Sequence, residues 1–419
     1  MKDDIIAGLD IGSSTIRMVI GQKMAGENEN KLQIIGAVEV LAQGISRGVV
    51  NSIEDTTSSI STCLEKAERL VGVPIQSVWV SINGPHIKSE KSRGVVAVGK
   101  SDGEITEDDV SRAIEAAQAL SAPPNYEILH VMPVKYAVDN QEDVRDPIGM
   151  TGVRLEVETI VIQGLSTQIN NLTKAIHRTG LEIEDLVLSP LVAAEVVIGV
   201  KQKELGSALV NIGASTTSLA VFEEGELLHT AVLPIGSEHI TADIAIGLRC
   251  PINIADRIKI EIGSANHNKF NKKEEIDIKE LMAKEESEED MGLVSGRYIA
   301  EIIEARVDEI FEKVDGELKK ISRSGMLPAG IFLVGGGAKL NDIVETAKKK
   351  LRLPVCLGTN KNISTVIDKV NDLNFLTALG LVAWGNQVIS SQKGFNLPVG
   401  KTINKFINKA KKWISSLIP

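Results

Sequence analysis

Short apolar runs alternate with longer amphipathic stretches along the chain, a pattern that predicts a mixed α/β protein. Strands are predicted at runs rich in Val, Ile and Leu, namely Ile5–Gly8, Met18–Gly21, Val78–Ile82, Leu209–Ile212, Leu219–Phe222 and Ile331–Val334. Helices are predicted where apolar residues recur at helical spacing, namely Thr56–Val71, Glu107–Leu120, Thr167–Gly180, Arg297–Ser322 and Asp342–Leu351. Tight turns join the first strands, so we expect β-hairpins inside the sheet rather than a purely doubly wound one.

A short motif occurs once in each half of the chain. Asp10–Ile16 reads DIGSSTI, and Asn211–Thr217 reads NIGASTT. Each copy follows one apolar strand and precedes another. Repetition of a supersecondary unit predicts two similar half-molecules.

Both turns have the chemistry of a phosphate site, because glycine lets backbone amides approach an anion and nearby hydroxyls add donors. Two such hairpins facing each other across a cleft would hold a polyphosphate. The candidate residues are Gly12, Ser13, Ser14, Thr15, Asn211, Gly213, Ala214, Ser215 and Thr216. Asp10, at the end of the first strand, would hold the waters of a phosphate-bound Mg²⁺.

A third candidate is the glycine cluster that follows the strand Ile331–Val334 and precedes the helical pattern Asp342–Leu351. It consists of Gly335, Gly336 and Gly337. Without side chains, a nucleobase or an α-phosphate can lie against the backbone near a helix N-terminus. The alternative is an ordinary β-to-α turn.

Residues Gly94–Ser101 satisfy the P-loop pattern, but we reject that match. A P-loop is a compact loop that opens directly into a helix. Here Val95–Val98 is β-branched and strand-like, and Asp102, Gly103 and Glu104 follow the serine.

Composition excludes several functional classes. Lys+Arg 46 against Asp+Glu 56 give a net charge of −10, and aromatic residues make up 3%, so no nucleic-acid partner is expected. The three cysteines lack CxxC spacing and predict buried thiols in a reducing compartment. The acidic start predicts no secretory signal, and Pro190 and Glu195 interrupt the most apolar run, so no membrane-spanning helix is expected.

The end of the chain is a cationic amphipathic segment. No acidic residue follows Asp372, and residues 391–400 have the composition of a linker. Within 401–419 one helical face is apolar, with Ile403, Phe406, Ile407, Trp413, Ile414 and Leu417, whereas the other carries Lys405, Lys409 and Lys412. We expect a helix anchored on an anionic membrane surface. The alternative is a helix docked on the protein's own body.

The two hairpins and the glycine cluster occur in the order found in the actin, hexokinase and heat-shock-chaperone ATPase superfamily, which they resemble. Within it the chain resembles FtsA, the bacterial cell-division actin. His130–Pro133 and Asp146–Leu155 (DPIGMTGVRL) are similar to the FtsA-specific subdomain. Thr241–Ala245 and Ala255–Lys259 are similar to the nucleotide-facing segment. The resemblance covers essentially the whole chain.

This resemblance implies a two-lobed α/β actin-like ATPase fold with an inserted subdomain and a C-terminal amphipathic helix. The implied units are a first core of 1–83, 164–195 and 357–390, an inserted subdomain of 84–163, a second core of 196–240 and 300–356, an outer subdomain of 241–299, a linker of 391–400 and the helix 401–419.

The resemblance also implies ATP and Mg²⁺ as ligands, with Asp256 and Lys259 near the ribose and base unless they form a solvated helix face. It implies head-to-tail filaments at the division site, attached peripherally to the cytoplasmic face of the cell membrane. The implied partners are the C-terminal tail of the tubulin-like protein FtsZ and other division proteins that bind the inserted subdomain. Arg297 and Arg306 are the candidate contacts for acidic groups of that tail, although Glu309 offers Arg306 a local ion pair.

Two departures from the superfamily bear on activity. The second phosphate motif opens with Asn211 in place of the usual Asp, and Ser189 precedes Pro190 where chaperone ATPases have Glu. A neutral amide cannot stabilise a hydrated metal or orient water by charge, so we expect ATP binding with slow or no hydrolysis. The alternatives are a small-molecule kinase of the same superfamily and a pilus-assembly actin relative.

Overall fold

The computed structural model describes residues 5–23, 32–119, 123–271, 275–278 and 293–393. The predicted membrane-facing residues, from Ile403 to Leu417, and most of the predicted linker lie outside these ranges, so the anchor stays a prediction. No helix in the described ranges is long and apolar enough to cross a membrane.

The strands, in chain order, are β1 (Ile5–Ile11), β2 (Thr15–Lys23), β3 (Leu32–Leu41), β4 (Ile45–Ser46), β5 (Val49–Val50), β6 (Ser77–Ile82), β7 (Ile87–Ala97), β8 (Tyr126–Val138), β9 (Gln141–Val144), β10 (Arg154–Leu165), β11 (Glu182–Leu188), β12 (Ser207–Ile212), β13 (Thr217–Glu223), β14 (Glu226–Leu233), β15 (Glu275–Asp277), β16 (Leu293–Ser295), β17 (Gly330–Val334) and β18 (Val355–Leu357).

The helices, in chain order, are α1 (Ile53–Val71), α2 (Glu107–Ala119), α3 (Ser166–His177), α4 (Ser189–Val197), α5 (Val200–Leu205), α6 (Ser237–Leu248), α7 (Ile252–Glu261), α8 (Gly296–Lys320), α9 (Ile343–Leu351) and α10 (Leu376–Lys393). α3 ends before the predicted Gly180, because Gly180 adopts a left-handed φ of 85° that stops the helix. α10 continues to Lys393, three residues into the predicted linker.

Two five-stranded sheets share one topology. The first has the order β11-β6-β1-β2-β3 and the second has the order β14-β13-β12-β17-β18. In each sheet three antiparallel strands form a meander, a fourth strand pairs in parallel with the first strand of the meander, and a fifth strand pairs in parallel with the fourth. The prediction of two similar half-molecules, with hairpins inside each sheet, is therefore confirmed.

The hydrophobic core is built mainly from aliphatic side chains, because aromatic residues are scarce. α4 packs against α10 and contacts strands of both sheets. Gly380 makes this close packing possible, since a Cβ there would lie 2.0 Å from the Val192 carbonyl oxygen. α6, α8 and α9 pack around the second sheet, where Phe311 of α8 is fully buried.

An inserted unit leaves the first core after β6 and returns at α3. Its four-stranded sheet has the order β7-β10-β8-β9, and α2 packs on it. The rejected P-loop pattern lies here: Gly94 is inside β7, and a Cβ on it would lie 1.9 Å from the Ala113 carbonyl oxygen of α2. Gly94 is therefore needed for the close packing of β7 against α2.

The inserted unit also contacts the second lobe. β14 packs against β7, β8 and β10, and the Ser89 hydroxyl donates to the Thr230 carbonyl oxygen at 2.6 Å. The inserted unit thus bridges the two sheets.

Candidate functional site

A cavity of about 850 Å³ lies between the lobes. The first lobe contributes Ser14 and Arg17, and the second contributes Ala214, Glu238, Thr241, Asp256, Lys259, Gly336 and Gly337. Six residues predicted from sequence to bind a nucleotide are in this lining: Ser14, Ala214, Asp256, Lys259, Gly336 and Gly337. The cavity therefore brings together residues from both hairpins and from the glycine cluster.

The two hairpin turns have the same geometry. In the first, the Gly12 amide donates to the Thr15 carbonyl oxygen at 3.0 Å, and in the second the Gly213 amide donates to that of Thr216 at 2.8 Å. Asp10 is paired with Arg17 across its hairpin, and Asn211 is paired with Ser218 across the other. Asp10 and Asn211 are thus equivalent positions.

Some hydroxyls of the turns are already engaged within the protein. The Ser13 hydroxyl accepts from the Gly48 amide at 3.0 Å, and the Ser215 hydroxyl donates to the Glu238 carboxylate at 2.7 Å. Ser14 remains exposed at the cavity wall. Ser13 and Ser215 therefore hold neighbouring segments of the protein at the two turns.

Asp10 is a partly buried carboxylate at the end of β1. The Ser81 hydroxyl donates to its Oδ1 at 2.6 Å. Burial raises the pKa of Asp10, although the Ser81 hydrogen bond and the Arg17 charge oppose the rise. A carboxylate with so little solvent would gain from a nearby hydrated cation.

The residues fit a hydrated Mg²⁺ that arrives with a polyphosphate. The described ranges contain no group of three or more His, Cys, Asp and Glu that could hold a metal. Mg²⁺ does not need one, since it usually keeps several waters and takes one or two carboxylates plus phosphate oxygens. Asp10 in the first lobe and Glu238 in the second are carboxylates of this kind, and of the two Glu238 belongs to the cavity lining whereas Asp10 does not.

The glycine cluster is shaped by contacts with the second hairpin. Gly335 has a φ of 86°, and a Cβ on it would lie 2.3 Å from the Asn211 Oδ1. A Cβ on Gly337 would lie 2.4 Å from the Ile212 Cγ2. A 3₁₀ turn over Gly336–Lys339 begins within the cluster, and α9 starts at Ile343, one residue after the predicted start at Asp342.

Asp256 and Lys259 form an ion pair at the far wall of the cavity. The Lys259 Nζ lies 2.6 Å from the Asp256 Oδ1 and donates to the Thr241 hydroxyl at 2.7 Å. The Lys259 side chain is 14% exposed, so the interpretation of a solvated helix face is wrong for this residue.

Arg297 and Arg306 lie on α8, outside the cavity lining. Arg297 pairs with Glu301, whereas Arg306 donates to both carboxylate oxygens of Asp243 at 2.5 and 2.8 Å and also to Glu309. From sequence, Glu309 is the expected partner of Arg306 because it lies on the same helix. Asp243 is not expected from sequence, because it is on α6, which is brought to α8 by tertiary packing.

Twelve of the eighteen residues that line the cavity were not predicted as site residues, and Arg17, Glu238 and Asn374 are among them. Arg17 could have been found from the hairpin register, because it faces Asp10. Glu238 and Asn374 come from segments whose approach to the hairpins no local pattern indicates.

Family comparisons agree with the sequence motifs. A family described as "SHS2 domain inserted in FTSA" matches residues 84–163, and one described as "Cell division protein FtsA" matches residues 208–380. A cell division protein FtsA of Pseudomonas aeruginosa is 35% identical over 415 residues, covering 98% of this chain and 97% of that protein. The chain belongs to the FtsA family. An FtsA of Bacillus subtilis is also 35% identical, over 95% of this chain and 88% of that protein.

FtsA membership confirms the resemblance, and solved structures confirm the actin-like fold. A chain of a PilM-PilN type IV pilus biogenesis complex has a TM-score of 0.64 at 14% identity, covering 91% of this chain and 98% of that one. MreB5 of Spiroplasma citri bound to ADP has a TM-score of 0.52 at 11% identity, covering 94% and 99%. At these identities the likeness concerns the fold alone, so the closer FtsA relatives decide the family over the pilus-assembly alternative.

Proposed function

We propose that this cell-division protein binds ATP, forms filaments and ties FtsZ filaments to the cytoplasmic face of the cell membrane. The observation that carries the nucleotide part is the pair of hairpins with one register at the same interlobe cavity. MreB5 structures of the same fold hold ADP in one case and AMPPNP in another, which supports a nucleotide in this cavity.

The hairpin amides and Ser14 would contact the phosphates. Asp10 would hold waters of the accompanying Mg²⁺, which neutralises phosphate charge when bound. The far wall with Asp256 and Lys259 and the bare surface at Gly336 and Gly337 would receive the nucleoside. Because Asn211 and Ser189 replace acidic groups, we expect binding to be much stronger than hydrolysis.

Membrane attachment is proposed from sequence for residues 401–419. Lysines near an anionic surface contribute roughly 1 kcal/mol each, and the apolar face with Trp413 would enter the interface. Each anchor alone is reversible, so a head-to-tail filament would strengthen attachment by avidity. The protein would then be peripheral, located at the division site.

Two surfaces are proposed for other proteins. The α8 region with Arg297 and Arg306 would bind carboxylates of the FtsZ tail, provided that Arg306 exchanges its pair with Asp243. The inserted subdomain 84–163 would bind further division proteins.

Co-sedimentation with vesicles containing anionic phosphatidylglycerol tests this function. The full chain should pellet with vesicles, bring an FtsZ tail peptide down with it, and pellet more completely with Mg²⁺-ATP. Deletion of 401–419 and Trp413→Glu should abolish pelleting but retain ATP binding, whereas Asp10→Ala should remove the ATP effect only. Equal pelleting by the deletion variant would overturn the anchor, and absence of ATP binding would overturn the nucleotide role.

A further inference from the structure

The second hairpin lacks a charged group where the first has Asp10. The Asn211 Nδ2 donates to the Thr377 hydroxyl at 3.4 Å, and its Oδ1 lies against Gly335, as described above. Asn211 is thus neutral and packed between two other segments. The second lobe would need its carboxylate from elsewhere.

Glu238 is the carboxylate that the fold brings to this hairpin. It lies in the first turn of α6, lines the cavity and accepts the hydrogen bond from Ser215 at 2.7 Å. Ser215 is only 5% exposed, so the hydrogen bond fixes the carboxylate to a buried point of the hairpin.

Backbone hydrogen bonds also hold Glu238 beside the hairpin. The Ser237 amide donates to the Gly213 carbonyl oxygen at 2.9 Å, and the Glu238 amide donates to that of Ala214 at 2.8 Å. This approach requires Gly236, since a Cβ there would lie 2.4 Å from the Ala214 carbonyl oxygen. The start of α6 and the hairpin turn therefore form one unit.

We propose that Glu238 supplies the second lobe's carboxylate for the hydrated Mg²⁺ of bound ATP, in place of the neutral Asn211. The inference rests on the proposed ATP binding. Mg²⁺ takes one or two carboxylates together with phosphates, and Asp10 with Glu238 provides one from each lobe. Without the cation, Glu238 repels the phosphates by its like charge. Glu238 thereby makes ATP binding depend on Mg²⁺.

A purely structural role for Glu238 gives a different expectation. If the carboxylate only orients Ser215, its replacement changes ATP affinity by the same factor with and without Mg²⁺. If it faces the hydrated cation, replacement weakens binding with Mg²⁺ and strengthens binding without it, because the repulsion is gone. The ratio of the two dissociation constants separates these cases.

The experiment measures ATP binding to the full chain by calorimetry, once in Mg²⁺ and once in EDTA. The quantity compared is the dissociation constant in EDTA divided by that in Mg²⁺. For Glu238→Gln this ratio should shrink about 10-fold, which is the usual effect of losing a group that orients a metal's surroundings. Glu238→Asp keeps the charge and should retain most of the ratio. Glu261→Gln removes an exposed charge of α7 that pairs with Arg257, and it should leave the ratio unchanged.

An unchanged ratio in folded Glu238→Gln, verified by its melting temperature, would overturn the inference alone. The same ratio change in Glu261→Gln would assign the effect to net charge and would also overturn it. Failure of the unaltered chain to bind ATP would instead overturn the proposed function. If Glu238→Gln does not fold, Glu238→Ala is measured in its place and is judged by the same change in the ratio.

Discussion

Asn83 donates its side-chain amide to the Thr216 hydroxyl at 3.3 Å, and this hydrogen bond joins the loop after β6 to the second phosphate hairpin. The Asn83 Oδ1 also accepts from the Gly84 amide at 3.0 Å, which orients the side chain. Thr216 is 5% exposed, so the bond is shielded from solvent at one end. The two lobes are thus linked directly beside the proposed phosphate site.

Replacement of Asn83 should speed release of ATP. Asn83→Ala removes one interlobe hydrogen bond, whose net value of about 0.5–1.5 kcal/mol corresponds to a roughly 2- to 10-fold faster dissociation. Stopped-flow release of a fluorescent ATP analogue measures the rate. Combined with Thr216→Val in a double-mutant cycle, the two changes should be strongly non-additive. Additive effects would mean that the bond does not hold the lobes together.

The hairpin positions Asp10 and Asn211 should respond in opposite ways to substitution. Asp10→Ala should weaken Mg²⁺-ATP binding, because the buried carboxylate of the first lobe is lost. Asn211→Asp should raise ATP hydrolysis by restoring a charge near the metal. Steady-state phosphate release measures turnover. A rate on the order of 1 s⁻¹ or faster in the unaltered chain would contradict the expectation of slow hydrolysis.

The P-loop-like pattern should affect folding rather than nucleotide binding. Gly94→Ala places a Cβ against α2 and should lower stability by about 1–3 kcal/mol, as overpacking does. Lys100→Ala changes only an exposed pair with Glu104 and should leave ATP affinity unaltered. Urea unfolding and ATP titration measure the two effects. A large loss of ATP affinity in Lys100→Ala would restore the P-loop interpretation.

Two buried groups beside Trp384 should give opposite pH dependences of stability. Burial raises the pKa of Asp185 to about 7 from 3.8, with the Leu186 amide and Trp384 opposing the rise. Burial lowers the pKa of His130 to about 4 from 6.5. The folded state holds the proton on Asp185 more tightly than the unfolded state does. The contribution of Asp185 to the free energy of unfolding therefore falls as pH rises from about 4 to 7. The folded state holds the proton on His130 less tightly than the unfolded state does, so the contribution of His130 to the free energy of unfolding rises from about pH 4 to 6.5.

Difference curves between variant and unaltered chain isolate each group. The quantity compared is the free energy of unfolding of the variant minus that of the unaltered chain. For Asp185→Asn, this difference should rise with pH up to about 7 and then become flat. For His130→Gln, it should fall with pH up to about 6.5. Thermal unfolding at a series of pH values gives both curves. Flat difference curves for both variants would show that neither group titrates as stated.

Arg306 should bind the FtsZ tail more strongly once its internal partner is removed. Asp243 occupies two of its donors, so Asp243→Asn should free the guanidinium and tighten tail binding, whereas Arg306→Gln should weaken it. The pair is about one-quarter exposed on each side, and its loss should cost little stability. Fluorescence anisotropy with a tail peptide measures affinity. Lys319→Gln, which removes an exposed charge paired with Asp315 on the same helix, is the matched control. Equal affinities in all variants would locate the tail site elsewhere.

The repeated motif could be predicted well because its information is local. Asp10–Ile16 and Asn211–Thr217 combine strand, turn and strand in a few residues, so both hairpins could be predicted from the sequence, whereas their shared register is seen only in the structure. Glu238 and Asp243 could not be assigned to their partners in this way. Ser215 reaches Glu238, and Arg306 reaches Asp243, only after α6 has packed on the hairpin and on α8. Such long-range side-chain pairs depend on tertiary packing, which hydrophobic periodicity and secondary-structure propensity do not indicate.

The contact between Ser89 and Thr230 makes the inserted subdomain a second connection between the two lobes. Its chain enters and leaves through the first core, yet it rests on β14 of the second sheet. The two lobes therefore cannot rotate apart about a single hinge, because the inserted subdomain also connects them at a point away from the cleft. Any rotation of the second lobe must either break this support or tilt the subdomain with it, which converts a motion at the cavity into a displacement of a distant surface.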